Sequence, residues 1–535
     1  MSSLLPLFVI VPLAAGFIAP LGQFWNQTHG ARTVRALALL AGACLLAGSL
    51  ALLGRGPVVC WIGGWPEPGR ATVGLSLVVD GLTELLLVTV NTIAFLALLY
   101  SWSYVQRFTG QVLYYCLFLI MLAGMNGVVL SGDLFNVFVF MEVAVMASYA
   151  LVAFGVDRSE LEASFKYIIL GSVSSLFVLL GVGLLYNLTG QLNMALVAQH
   201  LAAREPTPAV WLAAGCFVMG FGLKSAMVPF HAWLPDAHPS APAPISAMLS
   251  GVLIKAAGVY ALCRILFNVF GMTSPTGSAY AHVLMTLGAL SMVIGVLLAI
   301  GQWDFKRLLA YHSISQMGYV LLSIGVGGAV LAAGGSKTVA GLAVFGGLFH
   351  LVNHAVFKGL LFLCSGAVEY ATGTRDLHEL GGLKKNMPAT SGCCRVAALA
   401  IAGVPPFNGF FSKLIIIVAV AAAGYWMLAG MAVFVSFMTL LSFVKVQRYV
   451  LEGTPAHTTA AVREVPFPMQ VAMVGLAIGC LLLGVLAPLH KDRLITPAGR
   501  VLTDERAYAA TFQPPTFDVT IPEIAARPDS QERQP

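Results

Sequence analysis

A segment that crosses lipid has no water to satisfy its backbone, so it must form a helix or join a closed barrel. This sequence offers such segments one after another. Apolar stretches of about 20 residues, each long enough to cross a hydrocarbon core of roughly 30 Å as a helix, lie near 3–22, 34–54, 80–101, 112–131, 134–155, 164–186, 208–228, 244–267, 280–300, 308–332, 341–368, 392–421, 425–446 and 469–487. They predict an all-α polytopic membrane protein of about fourteen transmembrane helices. Only 10% of the 535 residues are charged and 58% are hydrophobic, which excludes soluble, disordered and coiled-coil classes. The runs are continuous rather than alternating, so strands are set aside. The first stretch is not expected to be a cleaved signal, because no basic region precedes it and Pro6 and Pro12 interrupt it.

The 29 Lys and Arg orient these segments. Fourteen, from Arg32 and Arg35 through Lys306 and Arg307 to Arg448 and Arg463, fall in one set of alternate loops. Five (Arg55, Arg70, Arg204, Arg264, Lys337) fall on the other side, six follow residue 488, and four lie inside spans. The positive-inside rule makes the first set cytoplasmic and both termini external, in the cell (inner) membrane. The net charge of +6 is thereby explained as topology and gives no reason to invoke nucleic acid.

Nine cysteines are scattered almost entirely within spans, with no CxxC and only the adjacent pair Cys393-Cys394. They read as small apolar packing residues. No GxGxxG or P-loop is present. No cofactor is expected on this chain, and any redox chemistry it serves belongs to another subunit. The polar tail over 488–535, with "TFQPPTFDVTIPEIAARP", is expected to be extended along a partner or unstructured.

Charges inside the spans carry the functional signal. Glu142 follows the plausible N-cap Asp133 by nine residues, about 13 Å along a helix at a rise of about 1.5 Å per residue. Lys224, Lys255, Lys358 and Lys413 lie in "VMGFGLKSAMVPFHAWLP", "MLSGVLIKAAGVYAL", "HLVNHAVFKGLLFL" and "FNGFFSKLIII". Each such charge costs about 2.5–3.5 kcal/mol at mid-span, and intramembrane ionisable groups are functional by default. Static ion pairs holding helices together are the competing account.

Two spans are interrupted. Prolines at 229, 235, 239, 242 and 244 force the seventh to unwind just after Lys224, and Pro405-Pro406 with Gly409 break the twelfth just before Lys413. Opened backbone survives at membrane depth only where protein or trapped water satisfies it. Free carbonyls at the second break are therefore expected to solvate the Lys413 ammonium. Each break has a lysine beside it, as expected if spans four to eight repeat as nine to thirteen in inverted orientation.

His350, His354 and Lys358 recur every four residues and so stack about 6 Å apart along one helix face, with Asn353 beside them. Imidazoles in series with a lysine can pass protons through water. Two other readings stay open: a metal site, weakened by the lack of a third ligand, and a pair of hydrogen-bonded core histidines. His312, in "RLLAYHSISQMGYV", lies near a span end.

The motifs "LSGDLFNVFVFMEV", "SFKYIILGS", "FGLKSAMVPFHAWLPDAHPSAPAPISAMLSGVLIKAAGVYALCR", "KRLLAYHSISQMGY", "HAVFKGLLFL" and "GVPPFNGFFSK" resemble the antiporter-like subunits shared by respiratory complex I, membrane-bound hydrogenases and Mrp-type Na+/H+ antiporters. The resemblance covers roughly 75–450. "GGWPEPGRATVGLSLVVD" and "LYNLTGQLNMA" look most like the D subunit of Mrp antiporters and its relatives in hydrogenase complexes. It implies helices 1–3 over 1–111, inverted five-helix repeats over 112–267 and 280–450, and a last helix over 469–487. It also implies Glu142 and Lys224 as a coupling pair, Lys255 as central relay, His350, His354 and Lys358 as the onward path, and Lys413 as the terminal lysine. The extended C-terminal arm of the longest complex I member is lacking.

Physical chemistry supplies a mechanism of its own. A desolvated ammonium shifts toward its neutral form and a nearby carboxylate shifts it back, so a carboxylate that moves controls whether its lysine keeps a proton. Proton translocation, with sodium as a second candidate ion, inside a complex of several membrane subunits is the leading expectation. A pumping module of a quinone-, hydrogen- or formate-linked oxidoreductase competes with it, and a passive scaffold is the third reading.

Overall fold

The computed structural model describes residues 2–24, 27–63, 74–453, 462–504 and 508. Helix starts follow local capping chemistry. Asp80 accepts from the Thr83 amide to open α3 (Gly81–Tyr104), after α1 (Leu7–Ile18) and α2 (Gln27–Leu52). α4 (Gln111–Leu130) precedes α5 (Leu134–Val152), which Asp133 caps through the Asn136 amide at 2.9 Å. α6 (Arg158–Thr189) stops at left-handed Gly190, and the short α7 (Met194–Ala202) follows an Asn193 cap.

α8 (Pro208–Lys224) ends at the lysine that the prolines predicted. The chain then unwinds, forms α9 (Leu234–Ser240), and resumes as α10 (Ala243–Phe270), with π-helical turns over Leu249–Tyr260. α11 (Pro275–Ile300), α12 (Phe305–Ala332) and α13 (Lys337–Thr372) are long and continuous. α14 (Pro388–Ala402) and α15 (Asn408–Ala422) are the two halves of the second interrupted segment. α16 (Trp426–Val446), α17 (Phe467–Val485) and the short α18 (Thr496–Thr503) follow among the described residues.

Among the described residues, twelve helices are long and apolar enough to cross a membrane, with α8, α14 and α15 as shorter apolar helices. The expected seventh and twelfth stretches are thus not single helices, because proline removes amide donors at each break. α10 is buried along its whole 28-residue length, whereas α6, α11 and α16 present wide apolar faces outward, as lipid requires. α11 and α12 run with their backbones in contact. A Cβ on Gly288 would overlap the Leu322 amide nitrogen, and one on Gly318 would overlap that of Met292.

Three sequence expectations need correction. A short antiparallel hairpin, β1 (Val58–Ile62) and β2 (Leu75–Val79), lies outside the spans. Arg264, counted among the loop charges, sits inside α10 at 2% exposure and makes a bidentate pair with Asp80 at 2.6 and 2.9 Å. Tyr260, Thr83 and Asn268 complete its shell, and Tyr508 covers it with ring and guanidinium 4.8 Å apart. The polar tail also begins later than expected: α18 buries Val501 and Leu502, and the Val501 carbonyl accepts from Asn268 at 2.7 Å. The quoted tail motif itself lies outside the described residues.

Asp80 lies just outside the spanning segments. Burial pushes its carboxyl up, but the Arg264 charge and the hydrogen bonds from Arg264 and Thr83 outweigh burial and hold it below the usual carboxylate range. At the opposite ends of the helices, Lys306 pairs with Glu369 at 2.9 Å, Arg375 with Asp304 at 2.5 Å and Lys166 with Asp236 at 3.1 Å. Lys166–Asp236 ties the segment after the first break to α6, and Lys306, which also donates to the Ala241 carbonyl at 3.2 Å, ties it to α12.

Candidate functional site

Glu142 on α5 and Lys224 at the end of α8 meet across α6. Their Oε1 and Nζ atoms are 3.9 Å apart, and the Ser175 hydroxyl of α6 stands between them. It hydrogen-bonds to Glu142 Oε1 and accepts from Lys224 Nζ at 3.2 Å. Its single hydrogen has a second acceptor, the Gly171 carbonyl, at 2.9 Å. That carbonyl also takes a hydrogen bond from Lys224 at 3.1 Å. A hydroxyl placed this way can turn from carboxylate to carbonyl when the charge on Glu142 changes. The break beside Lys224 is satisfied by side chains: Trp233 Nε1 donates to the Leu223 carbonyl at 2.8 Å, and the Val228 amide donates to Ser291 Oγ at 2.8 Å.

Lys255 lies in the π-helical turns of α10, where the ladder closes one residue later than in an α-helix. Its Nζ donates to the Ser250 carbonyl, five residues earlier, at 2.5 Å. The Ser250 hydroxyl in turn bonds that of Ser313 on α12 at 2.8 Å.

The histidine face of α13 is fully buried. His350 bonds Ser412 Oγ through Nδ1 at 2.9 Å and Gln316 Oε1 through Nε2 at 3.1 Å. His354 has no hydrogen-bond partner on either ring nitrogen, and Lys255, Lys358 and His238 surround it within electrostatic reach. Lys358 donates to the Leu309 carbonyl at 2.5 Å. Asn353 and Asn408 bond each other across the α13–α15 contact, and Asn353 also donates to the Asn408 carbonyl at 3.0 Å. His312 is buried rather than peripheral, bonded through Nε2 to Ser442 Oγ at 2.7 Å with Nδ1 unpartnered.

Lys413 is solvated as the break suggested. Its Nζ donates to the Ile401 carbonyl in the last turn of α14 at 2.8 Å and to Ser436 Oγ at 3.4 Å, with the Tyr319 ring 5.3 Å away. Carbonyls of a helix's last turn lack helical donors, so interrupting the helix creates the acceptor. Each of the four buried lysines donates to one backbone carbonyl, and only at Lys413 does that carbonyl belong to the last turn of an interrupted helix; Gly171 and Leu309 lie inside continuous helices and Ser250 in the π-helical turns. Among the described residues, only Lys224 of the four has a carboxylate within 4.0 Å. No group of three or more His, Cys, Asp or Glu there is arranged to hold a metal ion.

Several members of the axis were not singled out from sequence. Ser175, Ser250, Ser313, Gln316 and Ser412 are ordinary residues of apolar helices, and their partners lie on other helices, many residues away. His238 is the larger omission. It is fully buried with neither ring nitrogen bonded, and it lies between Trp233 and Phe362, with Lys358 and Lys255 in electrostatic reach. Its place beside the first break, in "LPDAHPSAP", was the available signal.

A buried axis of amines and imidazoles through a bundle of apolar helices defines a multi-pass membrane protein of the antiporter-like class. Residues 131–439 match the family described as "NADH:quinone oxidoreductase/Mrp antiporter, TM", and the chain belongs to that family. It is 38% identical to "NADH-quinone oxidoreductase subunit N" of Desulforudis audaxviator over 90% of this chain and 95% of that protein. It is 32% identical to the Na(+)/H(+) antiporter D subunit of Alkalihalophilus pseudofirmus over 84% of this chain and 88% of that protein. Among solved structures, a chain of the Mrp complex from Dietzia sp. DQ12-45-1b superposes with a TM-score of 0.84 at 28% identity, covering 95% of this chain and 99% of that one.

Proposed function

We propose that this chain moves protons, exchanged for sodium or another cation, as the antiporter-like subunit of an Mrp-type complex built from several membrane subunits. Counting α8 with α9, and α14 with α15, as one interrupted span each gives fourteen spans. α4–α10 and α11–α16 then form two inverted five-helix repeats over 112–267 and 280–450, after 1–111 and before 469–487 and the C-terminal segment over 488–535. Both termini face outward from the cell (inner) membrane.

The observation that carries the reading is the Glu142–Ser175–Lys224 bridge at the first break, a switchable charge pair at the head of a buried line of proton carriers. A change on Glu142 releases or holds the Lys224 proton. The onward path runs through Lys255, His354 and Lys358, with His350 and His312 beside it, to Lys413. His238 links the axis to the ionic cluster around Asp236.

Glu142→Ala and Lys224→Ala are expected to abolish transport in membrane vesicles while assembly on native gels persists. Normal transport by an assembled Glu142→Ala variant would refute the coupling role. The similarity to a quinone oxidoreductase subunit supports a second reading, the pumping subunit of a complex I-like or hydrogenase-like enzyme. Co-purifying iron–sulfur or nickel subunits would decide for it, and small membrane subunits alone would decide for the antiporter.

A further inference from the structure

A cavity of about 490 Å³ opens at the membrane face opposite Lys306, between the end of α6, the α7 segment, the start of α8, the end of α10 and the start of α11. Its size is that of a small-molecule site, which typically takes roughly 300–1,000 Å³. None of the proton-carrying residues lines it.

Both signs of charge are built into its wall. Arg204 and Glu205 lie side by side on the lining, and neither makes a side-chain ion pair among the described residues. The N-termini of α8 and α11 converge there, at Thr207-Pro208 and Ser274-Pro275; that of α11 is capped by Ser274 Oγ, which accepts from the Gly277 amide at 3.0 Å. The Thr207 side chain makes no capping bond, so the first amides of α8 lack a side-chain acceptor. Thr276, in the first turn of α11, lines the cavity at 2% exposure with its hydroxyl unpartnered. A buried hydroxyl without a partner costs about 1–3 kcal/mol, which a ligand oxygen would offset. α10 ends at Phe270 on the same lining, where the Ser274 hydroxyl bonds the Phe270 and Gly271 carbonyls at 2.9 and 2.8 Å.

We infer that this cavity binds a zwitterionic phospholipid headgroup, the phosphate on Arg204, Thr276 and the uncapped N-terminus of α8, the ammonium on Glu205. Helix N-termini and a guanidinium favour phosphate oxygens. The carboxylate immediately beside the arginine disfavours a simple anion and fits a phosphate that carries its own cation. A lipid source follows from the position of the cavity at the helix ends, the depth at which headgroups lie.

The test is native mass spectrometry of the intact purified complex, delipidated and then offered phosphatidylethanolamine, phosphatidylglycerol or inorganic phosphate. The expected result is one retained phosphatidylethanolamine that phosphatidylglycerol does not replace at equal concentration. Arg204→Ala should lower retention about tenfold or more, Thr276→Val should lower it less, and Glu205→Gln should erase the preference for the zwitterion. Assembly and transport should be unchanged in all three. Equal retention by wild type and Arg204→Ala, displacement of the lipid by millimolar inorganic phosphate, or a preference that survives Glu205→Gln would each overturn the inference.

Discussion

Ser175→Ala removes one oxygen from the bridge between Glu142 and Lys224, and with it the bond to the Gly171 carbonyl. The serine is 6% exposed and its hydroxyl touches both charged groups, so the change deletes two charge-assisted contacts while the carboxylate and amine stay 3.9 Å apart. Hydrogen bonds to charged groups contribute about 1.5–3 kcal/mol each to a net balance. The direct attraction at this distance remains about 4 kcal/mol at an effective dielectric constant near 20. The pair should therefore survive while the step that reorients the hydroxyl is lost. If that step limits transport and breaks one of the two contacts, about 1.5–3 kcal/mol corresponds to a rate loss of about 10- to 150-fold. Ser175→Thr, which keeps a hydroxyl on the same carbon, should recover most of the rate. The assay is pH-gradient dissipation in everted vesicles, with complex quantity fixed on native gels. Wild-type transport by Ser175→Ala would refute the bridge as a working part, and equal losses in the alanine and threonine variants would reduce it to packing.

Lys413→Arg should assemble, because a guanidinium can still donate to the Ile401 carbonyl, yet fail to transport, because arginine does not release a proton; near-normal vesicle transport would make this lysine structural. His350→Ala and His354→Ala should slow transport most at alkaline pH, where protons are scarce, and chelators should have no effect; loss with a chelator and recovery with zinc would favour a metal site. Asp80→Ala leaves Arg264 buried without its partner and should cost about 3–5 kcal/mol, measured as a lower thermal midpoint of the complex. The Asp80 carboxyl is held below its unfolded value, so the contribution of the pair is present at neutral pH and lost as pH falls through the folded value. A midpoint independent of pH on the acid side would contradict this.

The axis was legible where its members are expensive. A carboxylate or an ammonium inside twenty apolar residues stands out because lipid penalises it, and Glu142, Lys224, Lys255, Lys358 and Lys413 were found on that ground alone. The breaks were legible because proline cannot donate. What escaped was cheap or long-range. Ser175 costs a membrane helix almost nothing, and its importance comes from partners on α5 and α8 that only packing brings together. The π-helical turns around Lys255 have no composition that distinguishes them from α-helix. Arg264 was misread for the same physical reason that made the lysines readable: near a span end, a charge has water as an alternative. Only the fold shows that Asp80, 184 residues earlier, is its partner.

The glycine contact between α11 and α12 has an electrical consequence. With Gly288 and Gly318 drawing the two backbones to touching distance, the seam near those positions has no space for a file of water molecules. Protons hop only along connected hydrogen bonds, so the seam acts there as an insulator. His312 and Gln316 of α12 bond to Ser442 on α16 and His350 on α13, on the side of α12 turned toward those helices. In the path proposed above, conduction at that level would run on the face of α12 turned toward α13 and α16, and a leak between α11 and α12 would short-circuit any ion gradient that the axis is coupled to.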